Sequence, residues 1–397
     1  MLDGLDALTA FAIALGATAA LTPLTTRFAR SVGAVDQARG RGLAAGGTPL
    51  LGGLAIFAGG TISGLIVLPG STELHGILAA AAVIVLVGAL DDRFDLDPQV
   101  KLAGQVLAAV LAVRSGVRVD FVTVPFAGRL QFGDLGGPLT VVGLVVVMNV
   151  VNLSDGIDGL AAGVCAISAG ALAVIAFDLG RTEGGVLAAI TAGAALGFLI
   201  HNFHPASVYM GDCGSNLLGL LLGCIAVLGS AKTNAVLALI FPLIVLAVPF
   251  LDTTFVVLKR MKYRRPVYAA DREHFHHRLD RIGFSTRRTV LYLYAWTLSL
   301  AGLAIALRFV PYSDNGGTLH ASWATVMALL GLATLVGSVY LVYVLEILKF
   351  KRLDSMRLRR ARPEVSDEQI QAEVLTDLET GEFEAVRRES EELDRSD

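Results

Sequence analysis

Apolar runs of bilayer length recur along this chain, separated by short polar stretches, and that alternation predicts its elements before any single residue is considered. A helix rises ~1.5 Å per residue, so crossing a hydrocarbon core takes about 20 apolar residues. Runs of this kind lie at 5–23, 48–68, 74–90, 100–114, 137–153, 160–178, 185–201, 214–230, 234–258, 289–309 and 321–347. They predict an all-α fold, a polytopic integral membrane helix bundle of about 11 transmembrane helices. The shortest run, 100–114, carries the weakest signal.

Charge assigns the loops to sides. Asp3 and Asp6 come first, at the head of the first run, while Arg27 and Arg30 follow it, the reverse of a cleaved secretory signal, so the N-terminus is expected outside on a retained span. Alternation then places 24–47, 91–99, 154–159, 202–213, 259–288 and everything after 348, the C-terminus included, in the cytoplasm. The basic residues agree: Arg27, Arg30, Arg39 and Arg41 fall in 24–47, and 259–288 carries Lys259, Arg260, Lys262, Arg264, Arg265, Arg272, Arg278, Arg281, Arg287 and Arg288. The opposite side holds Arg114, Arg118, Arg129, Arg181, Lys232 and Arg308.

Composition supports a membrane class, because 54% hydrophobic and 17% charged residues over 397 positions exclude an ordinary soluble globular chain. The net charge of -3 is uninformative, being the sum of very unevenly placed charges. Cys165, Cys213 and Cys224 are too few for a disulfide frame and are read as reduced. Nothing marks a nucleic-acid partner. Residues 1–348 are read as the transmembrane catalytic domain and 349–397 as a charged cytoplasmic tail, basic then acidic, expected to be largely disordered.

Four polar segments share the predicted cytoplasmic side: "DDRFDLDPQVK" (91–101), "NLSDGIDG" (152–159), "YMGDCGSN" (209–216) and "DREHFHHRLD" (271–280). Each alone has an ordinary reading as a helix end, a turn, a cap or a basic loop. Their convergence on one face of so apolar a chain points instead to a shared site. Carboxylates without matching cysteines suit a hard cation such as Mg2+, which takes oxygen ligands and bridges to phosphate. Ser215 and Asn216, at the start of a run, offer donors to an anion. A cytosolic polyanion and a membrane-embedded site together suggest phosphoryl transfer between a nucleotide and a lipid. The rival from another class, an ion-coupled membrane transporter, places its charges near mid-span, whereas these acids cluster at span ends.

The ordered segments "DDRFDLDPQVKLAGQ", "NVVNLSDGIDGLAAG", "VYMGDCGSNLLG" and "HFHHRL" resemble the polyprenyl-phosphate N-acetylhexosamine-1-phosphate transferases, from about Asp36 to Gly283. The resemblance implies a catalytic centre at Asp91, Asp92 and Asp212, with Mg2+, or alternatively Mn2+, on Asp92 and Asp212. It implies a nucleotide pocket that uses Asn149, Asn152, Asp155 and Asp158, and His274, His276 and His277 facing the diphosphate or sugar. Relatives commonly carry a Lys and a His just after the Arg that Arg41 matches, but here Gly42 and Ala44 stand there, and Ser207 replaces a frequent Lys. Substrate contacts made by those cations are lost or fall to Arg39, Arg41 or Lys101.

The implied reaction moves N-acetylhexosamine 1-phosphate, GlcNAc-1-phosphate by preference, from a UDP-sugar donor to a polyprenyl phosphate acceptor. It releases UMP and opens the lipid-linked stage of cell-envelope polysaccharide synthesis on the cytoplasmic face of the bacterial inner membrane. Phospho-MurNAc-pentapeptide transfer is the alternative within the family, although the charged lead-in of "DREHFHHRLDRIGFS" favours the GlcNAc branch. Direct displacement and an aspartyl intermediate both remain open, and so does a homodimer.

Overall fold

A computed structural model describes residues 4–36, 47–68, 70–124, 128–230, 285–311, 320–338 and 369. The helices are α1 (Gly4–Val32), α2 (Gly53–Val67), α3 (Thr72–Phe94), α4 (Pro98–Arg114), α5 (Gly136–Ser154), α6 (Leu160–Asp178), α7 (Thr182–Asn202), α8 (Gly211–Ser230), α9 (Thr286–Phe309) and α10 (Ala321–Ser338). Among the described residues eight helices are long and apolar enough to cross a membrane, while α2 and α4 are shorter. The run at 234–258 and the histidine segment with His274, His276 and His277 lie outside the described residues, as does the tail apart from residue 369. Over its described residues every other predicted run falls on one of these helices, except that 48–68 begins in a short strand ahead of α2.

Two small antiparallel pairs interrupt the helices. β1 (Val35–Asp36) pairs with β2 (Thr48–Pro49) between α1 and α2, and β3 (Phe121–Val124) pairs with β4 (Gly128–Gln131) between α4 and α5. Helix α8 packs against α3 and α5, α7 against α1 and α6, and α9 against α6. With no hydrophobic drive between helices in lipid, such contacts depend on close backbone approach at small residues. A Cβ on Gly88 would stand 2.4 Å from the Cys213 Cα, and one on Gly53 would stand 2.2 Å from the Gly214 nitrogen. Glycine at these points therefore lets α3 and α2 close onto the first turn of α8.

Local caps set where the acids fall. Asp95, left-handed at φ 53°, ends α3, and its N–H donates to the Asp91 carbonyl. Asp97 then accepts from the Gln99 N–H at 2.8 Å, with Pro98 at the first position of α4. The break between α3 and α4 is thus only three residues long, and it leaves Asp91 and Asp92 in the last turn of α3 and Lys101 in the first turn of α4.

The loops at this end of the bundle are bonded to one another. Gly52 and Gly53 donate to the Tyr209 and Met210 carbonyls at 3.0 Å, and Tyr209 donates to Pro49 at 2.8 Å. Arg93 Nε donates to the Val32 carbonyl at 2.5 Å, and the Gly159 N–H donates to Asn202 Oδ1 at 3.0 Å. The described residues of segments 24–47, 91–99, 154–159 and 202–213, grouped above by alternation alone, do share one end.

Candidate active site

Asp92 organises the start of α8. Its Oδ1 accepts from the Asp212 N–H at 2.6 Å and its Oδ2 from the Cys213 N–H at 3.2 Å. These N–H groups have no partner within their own helix, and a carboxylate there also meets the positive end of the helix dipole. Gly211 makes the approach feasible: it is left-handed at φ 71°, and a Cβ there would stand 2.3 Å from Asp92 Oδ2.

Around Asp212 three helices contribute polar groups. Asn152 Nδ2, near the end of α5, donates to Asp212 Oδ1 and to Ser215 Oγ, both at 2.8 Å. The Lys101 ammonium bridges Asp212 Oδ2 and Asp91 Oδ2, the latter at 3.2 Å, and Asp91 Oδ1 accepts from the Leu96 N–H at 2.9 Å. Lys101 is thus a cation that the described residues bring to the carboxylates. One turn deeper, Gln105 Nε2 donates to Asn216 Oδ1 at 2.7 Å and Gln105 Oε1 accepts from Asn149 Nδ2 at 2.8 Å.

The turn between α5 and α6 forms the facing wall. Asp158 Oδ2 accepts from His204 Nδ1 at 2.7 Å and from the Ala206 N–H at 3.0 Å, fixing the turn to the α7–α8 connection. Asn202 holds the same connection through Val208, to whose carbonyl it donates at 2.9 Å. Burial pushes the Asp155 carboxyl from the usual 3.8 up to about 7, and the neighbouring charges of Asp92 and Asp158 add to that push.

A cleft of about 300 Å³ lies between these walls, and Asp36, Asp92, Asn152, Asp155, Asp158, Asn202, Tyr209 and Asp212 are among the residues that line it. Five aspartates face one small volume, and among the described residues that line it there is no lysine or arginine. Such a site attracts cations, and Lys101, at its edge, already neutralises part of the charge.

Those donors fit a hard divalent cation. Among the described residues no three acidic, histidine or cysteine side chains are grouped to hold a metal by themselves. Mg2+ does not require that, because it is commonly bound through one or two carboxylates plus substrate phosphates and water. Asp212 would be the best-placed ligand: it lies in the first turn of α8, Asn152 orients its Oδ1, and a cation, the Lys101 ammonium, already sits on its Oδ2. Asp92 faces the same cleft, with both oxygens also engaged by backbone N–H groups.

The structure brings Asp91, Asp92, Lys101, Asn152, Asp155, Asp158 and Asp212 together at this end of the bundle. Asn149 sits a turn deeper, paired with Gln105 rather than lining the cleft. Asp36, Gln105, Asn202, His204 and Tyr209 were not singled out from the sequence. A signal did exist for two of them: Gln105 is an amide inside an apolar run, and Asp36 begins the stretch that resembles the family.

Comparison with known proteins places this geometry. A probable undecaprenyl-phosphate N-acetylglucosaminyl 1-phosphate transferase of Bacillus subtilis is 37% identical over 302 residues, covering 75% of this chain and 84% of the relative. A decaprenyl-phosphate N-acetylglucosaminephosphotransferase of Mycobacterium tuberculosis is 36% identical over 361 residues, covering 83% and 87%. A phospho-N-acetylmuramoyl-pentapeptide-transferase of Moorella thermoacetica is 34% identical over 321 residues, covering 75% and 98%. The family model for glycosyl transferase family 4 matches residues 74–230, from α3 through α8. That span holds Asp92, Asp212 and the groups that join them, and the chain belongs to glycosyl transferase family 4, within which it groups with the polyprenyl-phosphate N-acetylhexosamine-1-phosphate transferases.

Proposed function

We propose that this protein transfers N-acetylglucosamine 1-phosphate from UDP-GlcNAc to a membrane polyprenyl phosphate, producing the lipid diphosphate sugar and UMP. The observation that carries the reading is the Asp92–Asp212 junction in the lining of a five-aspartate cleft, at the end of a membrane bundle. A diphosphate enters such a cleft only with its charge compensated, and a lipid phosphate reaches it from the surrounding bilayer. The names of the relatives support GlcNAc over the muramoyl-pentapeptide donor, since higher identities accompany the GlcNAc-phosphate names.

In this reaction a lipid-phosphate oxygen attacks the β-phosphorus of the nucleotide. The bond from that phosphorus to the oxygen shared with the α-phosphate breaks, and UMP carries that oxygen and its electron pair away. The acceptor phosphate is already mostly ionised near neutral pH, its second pKa being about 6, so removing its proton is the smaller task. Positioning and charge neutralisation are the larger.

Lys101 supplies a fixed positive charge beside Asp91 and Asp212, and Asn152 fixes the direction in which Asp212 presents its oxygens. Asp92 holds the first turn of α8 in place. The wall of Asp155 and Asp158 faces the nucleotide. Mg2+, held by Asp212 with Asp92 nearby, would supply charge neutralisation of the diphosphate and of the departing UMP.

The basic residues of 24–47 and 259–288 support a cytoplasmic position for the cleft, with the N-terminus of the chain outside. The membrane is then the bacterial inner membrane, where UDP-sugars are accessible from one side only. The test uses purified protein in detergent, polyprenyl phosphate, Mg2+ and UDP-[14C]GlcNAc, with Asp212→Asn as the control. Label entering the lipid with equimolar UMP, lost in the variant and on chelation, is the expected result. No transfer from UDP-GlcNAc, but transfer from UDP-MurNAc-pentapeptide, would reassign the donor, and inertness toward both would remove the reading.

A further inference from the structure

Three carboxamides from three helices meet inside the apolar bundle, directly beneath the cleft. Gln105 of α4 and Asn216 of α8 are each 1% exposed, and Asn149 of α5 completes the group. Each stands one helical turn inward from a residue that lines the cleft or stands at its edge on its own helix. Gln105 follows Lys101 by four residues, Asn216 follows Asp212 by four, and Asn149 precedes Asn152 by three.

The group satisfies itself. Gln105 Nε2 donates to Asn216 Oδ1 at 2.7 Å, and Gln105 Oε1 accepts from Asn149 Nδ2 at 2.8 Å. Asn216 Nδ2 donates to the Asp212 carbonyl and Asn149 Nδ2 to the Val145 carbonyl, both at 2.8 Å. Polar side chains at this depth need partners, and a leucine or methionine would fill the same space without that need. Interlocked amides do what apolar packing does not, because they fit one relative register of the helices and leave atoms unpaired in any other.

We infer that Gln105 is a positioning residue of the transfer reaction. It locks α4 to α5 and α8 in the register that brings Lys101 to Asp91 and Asp212, and Asn152 to Asp212. This rests on the reading of the cleft as a phosphosugar transfer site. It predicts that losing the amide slows turnover more than it weakens donor binding, because the nucleotide wall of Asp155 and Asp158 stands on a different connection.

The experiment measures kcat and KM for UDP-GlcNAc, and thermal midpoints, in wild type, Gln105→Met and Thr140→Val. Thr140 is buried near the far end of α5, where it accepts from the Val119 N–H at 3.0 Å and donates to the Gly136 carbonyl at 2.7 Å. Its valine variant removes a comparable buried bond away from the cleft. Expected for Gln105→Met is a kcat loss of about 10-fold with KM within about twofold of wild type, since small displacements at a reacting centre are costly. Thr140→Val should keep wild-type kcat.

A Gln105→Met kcat within about twofold of wild type, a loss carried by KM, or an equal kcat loss in Thr140→Val overturns the inference. Should Gln105→Met fail to fold, the pair Gln105→Asn and Gln105→Asn/Asn216→Gln decides, because the double variant moves one methylene from α4 to α8. Turnover recovered by the exchange supports positioning, and none recovered overturns it. Wild type inert toward the donors above sinks the proposed function and this inference with it, whereas an active wild type with an indifferent Gln105 sinks the inference alone.

Discussion

The Asp92 carboxylate stands 2.6 Å from the backbone nitrogen of Asp212, so one conspicuous acid of the chain serves as the helix cap of another. The two roles of Asp92, cap and charge at the cleft, come apart on substitution. Asp92→Asn keeps an acceptor oxygen for the Asp212 N–H, gives up the longer bond from Cys213, and removes the charge. It should fold with nearly the wild-type thermal midpoint and lose transfer by about 100-fold or more. Asp92→Ala removes the cap as well and should lose about 1 kcal/mol of stability in addition. Thermal denaturation in detergent alongside label transfer separates the two, and an Asp92→Asn protein with wild-type turnover would leave Asp92 as a structural cap alone.

Gly211 and Gly180 form a matched pair for testing that junction. Both are left-handed, at φ 71° and φ 70°, but a Cβ on Gly211 meets Asp92 Oδ2 at 2.3 Å while one on Gly180 meets nothing within 4 Å. Alanine at either position carries the same backbone penalty of about 1–2 kcal/mol. Only Gly211→Ala also displaces Asp92. Gly211→Ala should therefore lose more stability than Gly180→Ala, by about the 1 kcal/mol of the disturbed cap, and transfer should collapse in Gly211→Ala alone. Equal activity in the two would mean that the position of Asp92 is not critical to turnover.

Asp155 gives a pH prediction whose sign follows from its burial. Its carboxyl is raised from 3.8 to about 7 in the folded protein. Between those values the folded chain holds a proton that the unfolded chain has released, so stability declines as pH rises through the window and levels off above it. Asp155→Asn is neutral throughout and escapes the decline. Without divalent cations, the thermal midpoint of the variant relative to wild type should climb from the acid end of this window to its upper end. A difference that stays constant with pH would show that Asp155 is not held protonated by its surroundings.

Much of this arrangement was legible from hydropathy and alternation, which grouped the acidic segments at one end without any contact being known. The end of α3 shows where that reading stops. Charge closed the apolar run at residue 90, yet the helix continues to Phe94 until Asp95 turns left-handed, so Asp91 and Asp92 belong to a helix rather than to a loop. The same holds for Asp212, which lies before the run at 214 but within the first turn of α8. Asn149 and Asn152 share a motif, but three residues of helix set them a turn apart, one in the amide group and one at the cleft. Gln105 was hidden for another reason. A single amide barely changes the hydropathy of a run, and what it bonds to depends on which helices face it. The pairing of β1 with β2 escaped because strands of two residues carry no alternation to detect.

Tyr294 of α9 supports the Asp155–Asp158 turn, the proposed nucleotide wall, from behind. Its O–H donates to the Gly159 carbonyl at 2.5 Å, and its ring lies against α6 where a Cβ on Gly163 would stand 2.0 Å from it. Gly159 directly follows Asp158 and is left-handed at φ 80°, so this bond fixes the turn that carries the Asp155 and Asp158 side chains. Arg287, also on α9, donates through Nε to the His204 carbonyl at 3.0 Å, and His204 in turn pairs with Asp158. Tyr294→Phe keeps the ring in its notch and loses only the bond to the turn, a change of about 0.5–1.5 kcal/mol. Because that turn is the proposed nucleotide wall and lies away from the Lys101–Asp212 contact, the effect should fall on KM for UDP-GlcNAc, raised by about 3- to 10-fold, with kcat within about twofold. Gly163→Ala, which evicts the ring as well, should raise KM further. A Tyr294→Phe enzyme that loses turnover at unchanged KM would place α9 in the chemistry instead of behind the nucleotide wall.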